Sequence, residues 1–185
     1  MLRCVSVICL LVTGWLWGDA ALIFTKAQLA PVLIRSAWAD SLQNGGAMKP
    51  WPWADTWPVA RLQVPELNVD QFVLYGANGA SLPFGPGHLT GSSAPGYGGT
   101  VIIAGHRDTH FAFMPDLEPG HEIRLQGRNG LINVYRVKNQ EVIDARQSLL
   151  ESHNDVDQLI LVTCEPADML DYRGPWRLVT VARRD

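Results

Sequence analysis

Val101-Ile102-Ile103-Ala104-Gly105-His106-Arg107-Asp108 and Leu159-Ile160-Leu161-Val162-Thr163-Cys164-Glu165-Pro166 decide the reading of this chain. Each is a short run of branched aliphatics bounded by a strand breaker, the pattern of a strand buried on both faces. One run ends in Gly and then delivers His106; the other ends in Thr163-Cys164 before a proline that stops the strand. Downstream, after the turn-prone Asp171-Tyr172-Arg173-Gly174-Pro175, Arg177 opens a third run in which Leu178, Val179, Thr180 and Val181 continue the strand pattern. If that strand returns antiparallel to the one before it, Arg177 comes back beside Cys164.

Working outward from these runs, the same signals mark Ala60–Val64, Val69–Leu74, Glu122–Gln126, Ile132–Lys138 and Glu141–Ile143 as further strands. Eight short strands separated by Gly and Pro turns imply a mostly β, closed eight-stranded barrel with short helical turns, Phe84–His88 and Ser148–Asn154 being expected as loops or turns. Before them lies Pro50-Trp51-Pro52-Trp53-Ala54-Asp55-Thr56-Trp57-Pro58, which cannot be regular helix; its tryptophans read as a packed lid in preference to an aromatic ligand platform. Residues 26–49 read as a juxtamembrane helix and linker, with Leu29, Leu33 and Trp38 at helical spacing around a kink expected at Pro31.

No charge occurs from Cys4 to Gly18, and the apolar stretch runs on past Asp19 to Phe24 and Thr25. That length suits a single transmembrane anchor over 1–25, and Arg3 places the N-terminus in the cytoplasm and the following domain outside it. Gly18-Asp19-Ala20 leaves a cleaved signal as the alternative, and either outcome exports residues 50–185 as the catalytic domain. The expected location is therefore the cytoplasmic membrane of a bacterium, with the domain on the periplasmic side.

The 185 residues carry 15 basic and 18 acidic side chains for a net charge of -3, with no basic run, which argues against a nucleic-acid partner. Hydrophobic residues at 47% and charged residues at 18% describe an ordinary globular chain with an apolar excess at its N-terminus. Of three cysteines, Cys4 and Cys9 fall in the apolar stretch, so Cys164 has no disulfide partner within the domain and is either an inert buried thiol or a reactive one.

Strand-Gly-His, strand-Thr-Cys and a strand-opening Arg in this order resemble the sortase family of cysteine transpeptidases. Pro50 to Leu62, Gly76 to His88, Gly105 to Gly120 and Val162 to Ala182 extend the resemblance, which is to the sortases of Gram-negative bacteria. It implies an eight-stranded barrel that cleaves a Leu-Pro-X-Thr-Gly-like C-terminal sorting signal on another exported protein and passes the acyl group to an amine. It implies catalytic roles for Cys164, His106 and Arg177, with no cofactor and no metal; it also implies that the loop between Val142 and Val156 lines part of the substrate groove. Cys164 is then the nucleophile, His106 the general acid and base, and Arg177 the electrostatic clamp, for which Arg173 competes. Asp108 either orients the imidazole or caps the turn after it, and Thr163 is a supporting residue; His88, His110 and Tyr172 are rim candidates more simply explained as structural. Two other classes remain open: a peptide-binding barrel that does not cut, and a metal-dependent hydrolase using His106, His110 and Cys164. The second lacks the HExxH or paired CxxC pattern of a metal site.

Overall fold

The computed structural model describes residues 28–148, 150, 152, 155–165 and 174–185. The expected anchor over 1–25, both of its cysteines, Tyr172 and Arg173 lie outside these residues. No helix among the described residues is long and apolar enough to cross a membrane.

The chain enters through helix α1, residues 28–44, and then builds β1 (Pro58–Val64), β2 (Val69–Tyr75), β3 (Gly87–His88), β4 (Thr100–Ala104), β5 (Glu122–Gly127), β6 (Ile132–Asp144), β7 (Gln158–Cys164) and β8 (Trp176–Arg184). Hydrogen bonding closes these strands into a barrel in the order β1-β2-β3-β4-β7-β8-β6-β5. The number of strands expected from the sequence is right, but two of its members differ. Gly87-His88, expected in a loop, forms β3, pairing parallel to Leu74-Tyr75 and antiparallel to Ile103-Ala104. The two strands expected over 132–143 are one long β6, continuous through a register shift between Val137 and Asn139. A bulge of this kind bends a strand without ending it.

Alternation along the strands sorts side chains to two sides of the barrel wall. Val101, Ile103, Leu159, Leu161, Leu178 and Ala182 point inward to the main core with Leu62, Leu125 and Tyr135. The residues between them, Ile102, Ile160 and Val179, form a second apolar cluster on the outer face, and Ile143, Leu150, Val162 and Val181 pack against it. Thus β4, β7 and β8 are apolar on both faces, which is why their sequences read as continuous aliphatic runs.

Helix α1 packs on the barrel through Ala30, Ile34, Ala37, Trp38 and Ser41, all buried, with the Trp38 ring 6.2 Å from that of Phe72 on β2. The inward stripe is therefore carried mainly by small residues, and Leu29 and Leu33, which mark helical spacing in the sequence, point outward instead. Of the three tryptophans expected to form a packed lid, Trp51 sits edge-on to Phe84 and Trp57 stacks on Tyr75 at 4.1 Å. Trp53 is 79% exposed.

Candidate active site

Parallel pairing of β4 with β7 places Ala104 beside Val162, so the residues that follow each strand leave the barrel at the same rim. Antiparallel pairing of β7 with β8 sets Cys164 directly opposite Arg177. Side chains of directly paired residues lie on the same face of a sheet. For this pair it is the outer face, because inward Leu161 and Thr163 alternate with outward Val162 and Cys164. Cys164 and Arg177 therefore cap the outer apolar cluster, and Leu150, from the segment between β6 and β7, packs against that cluster. The Cys164 thiol is exposed and free.

His106 follows Gly105 immediately after β4, and its side chain is exposed. Three contacts tie this exit to the end of β7. The Gly105 amide donates to the Val162 carbonyl at 3.1 Å. Thr163 Oγ1, buried, donates to the Gly105 carbonyl at 2.8 Å. Beyond the strand ends, Arg107 and Glu165 form an ion pair at 3.4 Å. These residues flank His106 and Cys164 from either side. Sequence reasoning finds Thr163 but misses the Arg107–Glu165 pair, whose members are separated by most of the barrel's connectivity. It also misses why residue 105 is glycine: a Cβ there would meet the ring of Phe111 at 2.7 Å. Phe111 is wholly buried and its amide bonds to the His106 carbonyl at 2.9 Å, closing the turn that carries His106.

Arg177 is half-buried, and its Nη1 donates to the carbonyls of Gly174 at 2.8 Å and Trp176 at 2.7 Å. Two backbone acceptors on one nitrogen fix the plane of the fork, and a guanidinium carries five N–H donors in all. The competing Arg173 lies outside the described residues; the register of β8 places Arg177 opposite Cys164.

The remaining candidates separate into those beside the site and those away from it. Asp108 is exposed and makes no hydrogen bond or ion pair to His106 among the described residues. His110 is half-buried; burial first, and then the charge of nearby His106, push its imidazole below the ordinary range, against a hydrogen bond to the Pro83 backbone. Its own carbonyl accepts from Gln71 Nε2 at 2.7 Å, fastening the turn to β2. His88 is buried, its Nε2 lies 3.0 Å from the Ser93 carbonyl, and burial lowers its pKa, so it is a structural residue of the β3–β4 connection. No group of three His, Cys, Asp or Glu side chains among the described residues is placed to hold a metal ion.

The family model for the sortase domain matches residues 62–185. Sortase D of Bacillus subtilis (strain 168) is 29% identical over 123 residues, a match covering 66% of this chain and 62% of that protein. Among solved structures, sortase A from Corynebacterium diphtheriae superposes with a TM-score of 0.61 at 27% identity, covering 72% of this chain and 63% of its own. The Clostridium perfringens sortase D5 transpeptidase gives a TM-score of 0.67 at 18% identity, covering 83% and 99%, and there the likeness is one of fold. The chain thus spans less than two thirds of the first two of these relatives. Its barrel order, the rim that joins His106, Cys164 and Arg177, and a family match over most of its length make this chain a member of the sortase family.

Proposed function

We propose that this chain is a membrane-anchored cysteine transpeptidase acting outside the cytoplasm, with Cys164 as nucleophile, His106 as general acid and base and Arg177 as clamp. The observation that carries the reading is an exposed, unbridged thiol directly paired with an arginine at a rim that also holds a histidine. The Cys164 thiolate attacks the scissile peptide carbonyl and forms a tetrahedral oxyanion. Collapse expels the amine, which takes a proton from His106 as the C–N bond breaks, and leaves a thioester on Sγ. An incoming amine loses its proton to His106 and displaces the thiolate, and water in its place gives hydrolysis. Arg177, oriented by the Gly174 and Trp176 carbonyls, presents its remaining donors to the oxyanion or to the substrate backbone.

The exposed Cys164 lies at the end of β7, beyond an outer apolar cluster that Ile143, Leu150, Val162 and Val181 cover, so an extended peptide would reach the thiol at the rim. The substrate is then an exported protein with a Leu-Pro-X-Thr-Gly-like C-terminal signal, and the acceptor an amine on the cell envelope or on another protein. An anchor over 1–25 holds the domain at the cytoplasmic membrane. Replacing Cys164 by Ala is the direct test: loss of both cleavage and acyl-enzyme, with an unchanged melting temperature, supports this reading. Retained cleavage in that variant transfers the chemistry to another group and defeats it. Addition of a chelator distinguishes the metal-hydrolase alternative, since the thiol mechanism predicts no loss of turnover.

A further inference from the structure

The first two turns of α1 differ from the rest of the helix. Residues at Ala30, Ile34, Ala37, Trp38 and Ser41 face the barrel, so the other positions face outward. At the start of the helix those outward positions are Leu29, Pro31, Val32 and Leu33, of which Val32 is 64% exposed. Past Ile34 the outward side turns polar, with Arg35, Ser36, Asp40, Gln43 and Asn44, interrupted by Ala39 and Leu42. Beside the apolar turns lies a groove of about 480 Å³ walled by Leu29, Leu33, Trp51, Trp53, Ala80 and Phe84, with Trp53 standing out at its edge. The apolar surface of α1 is thus confined to one end and continues onto an exposed tryptophan.

Chain length limits what can cover that end. Phe24 closes the apolar N-terminal stretch and Leu29 follows five residues later. Fully extended, five residues reach at most about 17 Å. A headgroup layer is roughly 5–8 Å deep on each side of the hydrocarbon. If the N-terminal stretch enters a bilayer, Leu29 is held within or just above the headgroups of the outer leaflet, and Val32 and Leu33 lie one turn away. Tryptophan with one apolar face and a polar N–H suits the same layer.

We propose that the N-terminal end of α1 and Trp53 form a lipid-contacting surface that seats the barrel on the membrane. The surface rests on the anchor being a membrane segment, as put forward above. It does more than tether the domain. The loop that lends Ala80 and Phe84 to the groove follows β2, whose Gln71 Nε2 donates to the carbonyl of His110 in the turn that carries His106. On this proposal, seating the groove on lipid holds the loop joined to the His106 turn close to the bilayer, where a substrate that is itself still held in the membrane would present its signal. The flexible-tether alternative leaves the rim free to face any direction.

The test uses the full chain in liposomes that contain a phospholipid with a photoactivatable diazirine on its acyl chain. After illumination, lipid adducts are mapped by mass spectrometry. The expected result is adducts at Leu29, Val32, Leu33 and Trp53 enriched about tenfold over Tyr97 and Leu131, which are also exposed and apolar but lie on other loops. Val32→Glu combined with Trp53→Glu is expected to abolish this enrichment while leaving labelling of the anchor unchanged. Adducts confined to residues 1–25 overturn the contact surface and leave the anchor standing, assigning the apolar turns to a second copy or to another protein. Adducts nowhere in the chain overturn the anchor as well.

Discussion

Cys164 occupies the last position of β7, exposed, and the alternation that points Leu161 and Thr163 inward is what turns it out. Cys164→Ala is therefore expected to eliminate acyl-enzyme formation without unfolding the barrel, because it removes a nucleophile and no buried volume. Thermal melting beside a cleavage assay checks both halves. At Arg177, charge and geometry separate experimentally: Lys keeps the charge and loses the planar fork that two backbone carbonyls orient. Arg177→Lys is expected to lower acylation by about 10²–10³, the scale for loss of one oxyanion donor. The same change at Arg173 is expected to cost under about tenfold in single-turnover rates, as for a charge with no developing oxyanion to meet. The aliphatic runs and their terminal residues make the placement of Cys164, His106 and Arg177 at strand ends legible in the sequence. The spacing of Asp108 suits both orienting the imidazole and capping the turn, and in the structure it is exposed. Arg107 and Glu165 were invisible because nothing in a sequence pairs two charges across parallel strands. With both side chains partly exposed, their ion pair contributes no more than about 1 kcal/mol to stability, so its value lies in where it holds the two strand exits.

At the scale of elements, the candidate rim exists because β4, β7 and β8 are apolar on both faces and their ends coincide. This is why the three site strands were the easiest to read, whereas β3 has only Gly87 and His88 and offers no periodicity at all. Helix α1 was read correctly as helical, but its buried stripe depends on Ala30, Ala37 and Ser41, which hydropathy undervalues. Core packing predicts that Leu161→Ala, at a fully buried position, costs about 2–5 kcal/mol by chemical denaturation. The β3–β4 connection carries a pH dependence whose sign follows from burial. Burial lowers the pKa of His88 below its ordinary value of about 6.5, so below that pH the unfolded chain takes up a proton that the folded chain resists. Stability is therefore expected to fall as pH drops from about 6.5 toward the depressed folded value, with His110 adding to the trend in the same direction. His88→Gln is expected to lower stability at pH 7.5, through lost hydrogen bonding, and to flatten the slope between about pH 6.5 and 5 in urea titrations. An unchanged slope would show that the acid response arises elsewhere.

For the whole molecule, the barrel supplies a closed wall, the outer apolar cluster fastens the segment between β6 and β7 to it, and the rim brings together the groups proposed to react. The proposed chemistry is covalent at its centre, since each later step would depend on a thioester at Cys164. The most direct measurement is intact-protein and peptide mass spectrometry on the full chain, trapped by rapid acid quench in cells that also produce the exported partners. The account predicts an acyl adduct on Cys164 that hydroxylamine releases and that accumulates when amine acceptors are withheld. It also predicts that Cys164→Ala shows no adduct, while Cys4→Ala and Cys9→Ala show the wild-type amount. Partner cleavage with Cys164 unmodified at every time point, or an adduct carried by a different residue, would contradict it.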